Sequence, residues 1–305
     1  MAYTEAQARA IIADMLRHGE EELGELLEMR RSPLSDLAAI LADAVHGTLT
    51  ADALRSLTAD APLLSGEEYA LSRDAADSYR PLLTAALKAL SGFDRASLAG
   101  ALATHLIGRG QPLHPDALLS CRRLPGRCAY LRNPLSDEAY DLLQAELERP
   151  TALYVSDMEE ACESVNSGEA DYCILPVTAS DGSRAGSVLA MARAHRLTAC
   201  AVCRFFDGED VPVRYALFGS APRGGVSGVP VLSVSFPELT DTGLAAHLTA
   251  AASLGAEIRR ASLSDGRGEV TLRGGDVAVY LVYLCLFAPD FRVNGYYSEE
   301  RGECS

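Results

Sequence analysis

The sequence predicts a multi-domain α+β protein with an all-helical N-terminal part, a middle α/β lobe and a C-terminal βαββαβ unit. Three observations carry that reading. Apolar residues recur at three- and four-residue spacing as far as about Gly110. From about Arg127, short strand-like runs alternate with helical ones. From about Val229, the pieces run strand, helix, strand, strand, helix, strand. The expected divisions are a helical domain over 1–110, a linker over 111–126, an α/β lobe over 127–222 and the last unit over 229–305.

In the first part, Leu23, Leu26 and Leu27 mark one apolar stripe. Leu37, Ile40, Leu41, Ala44 and Val45 mark a second, with Ser35 and Asp36 suited to a helix start after Pro33 and Gly47 ending it. Leu82, Leu83, Ala86, Leu87 and Leu90 form a third, stopped by Gly92, and Leu98, Leu102, His105 and Leu106 a fourth, stopped by Gly108 and Gly110. His18, His46 and His105 stand far apart, and no catalytic constellation is visible there. Gly108, Gly110, Pro112, Pro115, Pro125 and Gly126 punctuate the next stretch, which reads as a linker with one helical turn.

The lobe reads as strand RCAYL, helix SDEAYDLLQAEL, strand TALYVS, helix DMEEACESVNSG, strand DYCILPV, helix GSVLAMARAHR, then strands LTACAVCRFF and VRYALFG. That pattern predicts a mixed sheet. The last unit reads LSVSF, TGLAAHLTAAASL, EIRRASL, GEVTLR, DVAVYLVYLCLF and FRVNGYY. A βαββαβ order implies a four-stranded antiparallel sheet with both helices on one face.

Composition narrows the function. The net charge is −15 and Lys88 is the only lysine, so phosphate backbones are repelled and nucleic-acid binding is disfavoured. No apolar run has the roughly 18 residues of a membrane span. The Glu-rich start reads as a helix and not a secretion signal, so the expected compartment is the cytoplasm. Cysteines 121, 128, 162, 173, 200, 203, 285 and 304 mostly sit in apolar runs and read as free buried thiols. Cys200 and Cys203 form a CxxC by spacing, but strand alternation would send their sulfurs to opposite faces. Nothing in the chain calls for a metal or cofactor.

The run Gly168-Glu169-Ala170-Asp171-Tyr172-Cys173-Ile174-Leu175-Pro176-Val177, followed by Ala185-Gly186-Ser187-Val188, resembles prephenate dehydratase, the lyase that makes phenylpyruvate in phenylalanine biosynthesis. Arg127-Cys128-Ala129-Tyr130 with Ser136 resembles that family's opening strand and loop, and Val213-Arg214-Tyr215-Ala216-Leu217-Phe218-Gly219 resembles its Thr-Arg-Phe strand. Phe291-Arg292-Val293-Asn294-Gly295-Tyr296-Tyr297 resembles the closing strand of its ACT domain, which senses an amino acid. The resemblance covers roughly the last 180 residues, a span of about one and a half ordinary domains. It implies half of a two-lobed catalytic fold, akin to type II periplasmic-binding proteins, followed by an ACT-like domain.

The departures bear on activity. Only a short helix and strand separate Ser187 from Arg214, which leaves no room for a second lobe. Val213 stands where the resemblance puts the catalytic threonine, and the Glu-Asn of the family's turn reads Thr178-Ala179, with Ser180 kept. Losing a placed proton donor typically costs about 10²–10⁴-fold. The family's phenylalanine-contacting Glu-Ser-Arg-Pro reads Ser262-Leu263-Ser264-Asp265.

Arg214 is retained and could hold a carboxylate through two parallel hydrogen bonds, or could pair with Asp207, Glu209 or Asp210. Ser136, Thr178, Ser180 and Ser187 are candidates for a polar pocket beside it, or plain helix caps. In the ACT-like part, Thr240, Asp241, Thr242, Gly243 and Leu244 form the turn where the resemblance implies an amino acid, with Gly243 giving a ligand room and Thr242 capping the helix. Three functions stay open: a non-catalytic sensor or regulator; an active dehydratase with a new acid from Glu67, Glu68 or Tyr69; or an interaction module. A homodimer through the ACT-like sheet edge is expected, with a small carboxylate or amino acid as ligand.

Overall fold

A computed structural model describes residues 33–43, 45, 49–57, 87, 89–122, 125–178, 186–206, 212–226 and 228–298. The stripe at Leu23, Leu26 and Leu27, most of the stripe from Leu82 to Leu90, Ser180, Ala179 and the acids Glu67 and Glu68 with Tyr69 lie outside those residues.

Helix α1 covers 33–43, α2 Ala51–Ser56 and α3 Gly92–Gly108. Ser91 caps α3 by accepting the Asp94 amide, so Gly92 opens this helix as well as closing the stripe before it. His105 on α3 hydrogen-bonds Ser35 on α1 at 3.1 Å, a structural use for that histidine. Helix α4, Pro115–Leu118, is the single turn expected in the linker. The segment is not a free tether, however. Leu118 and Leu119 are buried in the main core, and Asp116 accepts the Gly225 amide at 2.8 Å.

The lobe runs β1 Pro125–Leu131, α5 Pro134–Leu143, β2 Glu148–Val155, α6 Met158–Ser167, β3 Tyr172–Pro176, α7 Gly186–Ala194, β4 Thr198–Phe206 and β5 Pro212–Gly219. The last unit runs β6 Pro230–Phe236, α8 Asp241–Ser253, β7 Glu257–Ser264, β8 Arg267–Arg273, α9 Val277–Phe287 and β9 Arg292–Ser298. Asp265 and Gly266, with φ of 51° and 73°, make the two-residue β7–β8 turn that needs left-handed backbone.

These strands do not form two separate sheets. They join in one of nine strands, ordered β2-β1-β3-β5-β4-β9-β6-β8-β7. The lobe contributes β2-β1-β3 in parallel and β5 and β4 antiparallel. The last unit contributes β9-β6-β8-β7, antiparallel throughout. The seam is a short parallel contact of β4 with β9, registered at Ala199 and Gly295.

Helix α5 covers one face of the lobe's sheet, packing Ala139 and Leu143 with Cys128, Tyr130, Ile174, Val213, Tyr215 and Leu217. Helices α6 and α7 cover the other, packing Ala161, Cys162, Val165 and Ala192 with Ala129, Cys173, Leu175, Ala216 and Phe218. In the last unit, α8 and α9 lie with Leu232, Val234, Phe236, Val270 and Leu272 in one apolar cluster. The same cluster takes in Leu41, Leu54, Leu98, Leu102 and Leu106 of the N-terminal helices. Helix α9 explains this: ten of its eleven residues are buried, so it needs apolar neighbours all round. The sheet covers one side and α2 and α3 cover the other.

Candidate functional site

The chain leaves β1 through α5 on one face and returns through α6 and α7 on the other, so the strand order reverses between β1 and β3. In open α/β sheets the carboxyl ends beside such a reversal are where ligands commonly sit. Asn133, Ser136, Thr178, Ser187 and Arg214 all belong to this end of the lobe.

They do not form one pocket. Strand alternation puts Val213 and Tyr215 on the α5 face and Arg214 on the α6/α7 face. Ser136 is on the α5 side, 4% exposed. Asn133 caps α5: its Oδ1 accepts the Ser136 amide at 3.0 Å, and its Nδ2 donates to the Ser136 hydroxyl at 2.9 Å. Ser136 also hydrogen-bonds Tyr215, which works against the rise in Tyr215's pKa that burial causes. The expectation that Ser136 lines a pocket with Arg214 is therefore corrected: the sheet stands between them, and the serine is committed to a cap.

Thr178 does join Arg214. The Arg214 amide donates to Thr178 Oγ1 at 2.8 Å, and the Val177 amide donates to the Arg214 carbonyl at 2.8 Å. The threonine hydroxyl keeps its own proton to donate. Arg214 is exposed, and among the described residues it has no ion-pair partner. Ser187 is exposed on the first turn of α7, the helix that follows β3. Asp207, Glu209 and Asp210, the alternative partners of Arg214, lie outside the described residues.

Val213 is 5% exposed and packs with Phe205 and Tyr215 in the α5-side core. A side chain at this position points into packed hydrocarbon and not toward Arg214. Among the described residues only α7 and β4 come between Ser187 and Arg214, and no second lobe faces this end of the sheet.

The turn at Thr240–Leu244 is also rearranged from expectation. Thr240, not Thr242, caps α8, its Oγ1 accepting the Gly243 amide at 3.1 Å, while Thr242 hydrogen-bonds the Thr240 hydroxyl at 3.0 Å. The room that Gly243 opens is taken by the chain itself. A Cβ at Gly243 would lie 2.9 Å from one Leu239 methyl, and one at Gly268 would run into the other. Leu239 thus seats on two glycines where a ligand was expected. Asp241 is exposed beside it and Leu244 packs on the main core.

The CxxC reading needs correction in its geometry. The β4–β5 register slips between Ala199 and Ala201, so Cys200 sits in a β-bulge. A bulge turns successive side chains toward one face, and Cys200 and Cys203 both enter the α5-side core. Burial pushes the Cys200 thiol up to about 12, and nearby Arg223 opposes this only in part. Among the described residues no group of three metal-ligating side chains is found. Sequence reasoning missed Arg204, directly opposite Arg214 in the β4–β5 register. The signal was available, because the two arginines stand equally far from the centre of the loop that joins their strands.

No protein-family model matches the chain, and no curated protein matches it. Among solved structures it is similar to prephenate dehydratase from Streptococcus mutans, at 16% identity and a TM-score of 0.44, over 58% of this chain and 100% of that one. It is also similar to prephenate dehydratase in complex with L-Phe from Arthrobacter aurescens, at 14% identity and a TM-score of 0.43, over 57% of this chain and 90% of that one. A third, GqqA, described as a novel type of quorum quenching acylase, has 15% identity and a TM-score of 0.42, over 58% and 98% of the two chains. These are distant likenesses, and the site rests on its own residues.

Proposed function

We propose that this protein binds a small carboxylate at Arg214 without transforming it, as a non-catalytic relative of prephenate dehydratase that senses or regulates in aromatic amino-acid metabolism. The observation that carries the reading is the pair of neighbours at 213 and 214. Arg214 is an exposed residue whose guanidinium can form a two-pronged bond to a carboxylate, and its backbone amide is held by the Thr178 hydroxyl. Val213, where the resemblance puts a proton-donating threonine, is packed in the core on the opposite face.

Dehydration needs a proton at the departing hydroxide. A guanidinium does not give one up in a protein, and Thr178 as a neutral alcohol is a poor acid. The site therefore suits recognition. The last unit is read as ACT-like, and β7, an outer strand of the sheet with mostly exposed residues, would be covered by a second copy of the chain.

Isothermal titration against phenylalanine, tyrosine, prephenate and chorismate tests the reading. Binding of at least one is expected, weakened roughly 10-fold or more in Arg214→Gln, since hydrogen bonds to charged groups contribute about 1.5–3 kcal/mol. No heat from any of the four would reject it.

A further inference from the structure

Arg214 does not stand alone. Arg204 on β4 is its direct register partner, and alternation puts both side chains on the α6/α7 face. Side chains directly opposite across two antiparallel strands start about 4.5–5.5 Å apart at Cβ, and like charges so placed repel. One other arginine pair, Arg122 and Arg223, faces across a bridge among the described residues, and there one member has a carboxylate partner. Arg127 meets Asp171, Arg193 meets Glu269 and Arg223 meets Glu146. With 42 acidic residues against 27 basic ones, carboxylates are plentiful, yet among the described residues neither Arg204 nor Arg214 has one.

Arg204 is also held in place. Its guanidinium lies over the Phe206 ring, 5.7 Å from the centroid, on the same face of β4. Phe206 is 41% exposed, so the stack sits at the surface and not in the core. A guanidinium stacked on a ring keeps its edge N–H groups free to donate.

We infer that Arg204 and Arg214 form a two-guanidinium clamp whose ligand is a small dianion, carried either by two carboxylates or by one phosphate group. The inference rests on the reading of Arg214 as a carboxylate site and sharpens it. A single carboxylate neutralises one arginine and leaves the repulsion of the other. A dianion neutralises both, with one fork of N–H donors on each side. Plain amino acids, zwitterionic with one carboxylate, are then the weaker ligands of this site.

The test is a titration of the full chain with acetate, malonate, succinate and inorganic phosphate at constant ionic strength, repeated for Arg204→Gln, Arg204→Lys and Arg214→Gln. Circular dichroism checks that each variant is folded. At least one dianion is expected to bind roughly 10-fold or more tightly than acetate. Arg204→Gln should abolish that preference, weakening the dianion far more than acetate, and Arg204→Lys should restore part of it. Preference for the dicarboxylates identifies an organic diacid, and preference for phosphate a phosphate ester; both support the clamp. Equal dianion binding in Arg204→Gln and the parent chain overturns the inference but leaves the Arg214 reading standing. Unchanged acetate binding in Arg214→Gln rejects the Arg214 reading itself. If dianions bind only after Asp207→Asn, Glu209→Gln and Asp210→Asn are combined, the loop carboxylates own the arginines and the inference falls.

Discussion

His247 offers a direct test of how the N-terminal helices sit on the last unit. Its imidazole lies flat on Phe236, centroids 4.4 Å apart at 8°, and edge-on to Tyr283 at 5.6 Å. It is 6% exposed, and its Nδ1 has no hydrogen-bond partner. Burial, reinforced by Arg95 of α3, lowers its pKa from 6.5 to about 4. In the unfolded chain the ring takes up its proton near pH 6.5, while in the folded chain it waits until about pH 4. Between those values the unfolded state binds more protons, so stability falls as the pH falls. The contribution is complete above about pH 6.5 and is lost as the pH drops through 4, and it amounts to about 3 kcal/mol. His247→Phe keeps the stack and removes the proton. Urea denaturation followed by circular dichroism at pH 7, 6, 5 and 4 should show the variant at least as stable as the parent at pH 7. Their gap should widen by about 3 kcal/mol in the variant's favour at pH 4. Parallel pH profiles for the two proteins would refute the buried, neutral histidine and with it the close fit of α3 on α8.

Leu102→Ala in α3 and Leu284→Ala in α9 should each cost about 2–5 kcal/mol and lower the same unfolding transition, because both residues are fully buried in one core; two independent transitions in thermal scans would contradict a shared core. Val213→Thr should cost about 1–3 kcal/mol by burying a hydroxyl without a partner, and should create no dehydratase activity; its denaturation midpoint and a phenylpyruvate assay check both halves. Leu239→Ala should vacate the space over Gly243 and Gly268, and a gain of phenylalanine binding by calorimetry in that variant alone would show that Leu239 occupies an amino-acid pocket.

Local pattern carried much of the architecture. The order of strands and helices from Pro125 to Ser298 follows from apolar periodicity and from turns such as Asp265-Gly266. What periodicity does not carry is pairing between distant segments. The β4–β9 seam joins residues near 199 and 295 and merges two expected sheets into one. The opposite faces of Ser136 and Arg214 depend on how α5 packs on β5, which no single strand's alternation reveals. The bulge at Cys200 breaks alternation with no glycine or proline to announce it. Helix α9 was the clue most open to use: a helix apolar on every side must be covered on every side, and the only unassigned apolar stripes lay in the first hundred or so residues.

At the centre stands an exposed arginine whose neighbouring side chain, turned into the core, has no proton to give. Proton NMR of prephenate mixed with the protein at neutral pH reads binding and turnover in one sample. The expected result is broadening of the prephenate resonances that Arg214→Gln removes, with phenylpyruvate accumulating no faster than in buffer. Phenylpyruvate formed faster than in buffer by the parent chain, and at the buffer rate by Arg214→Gln, would contradict it.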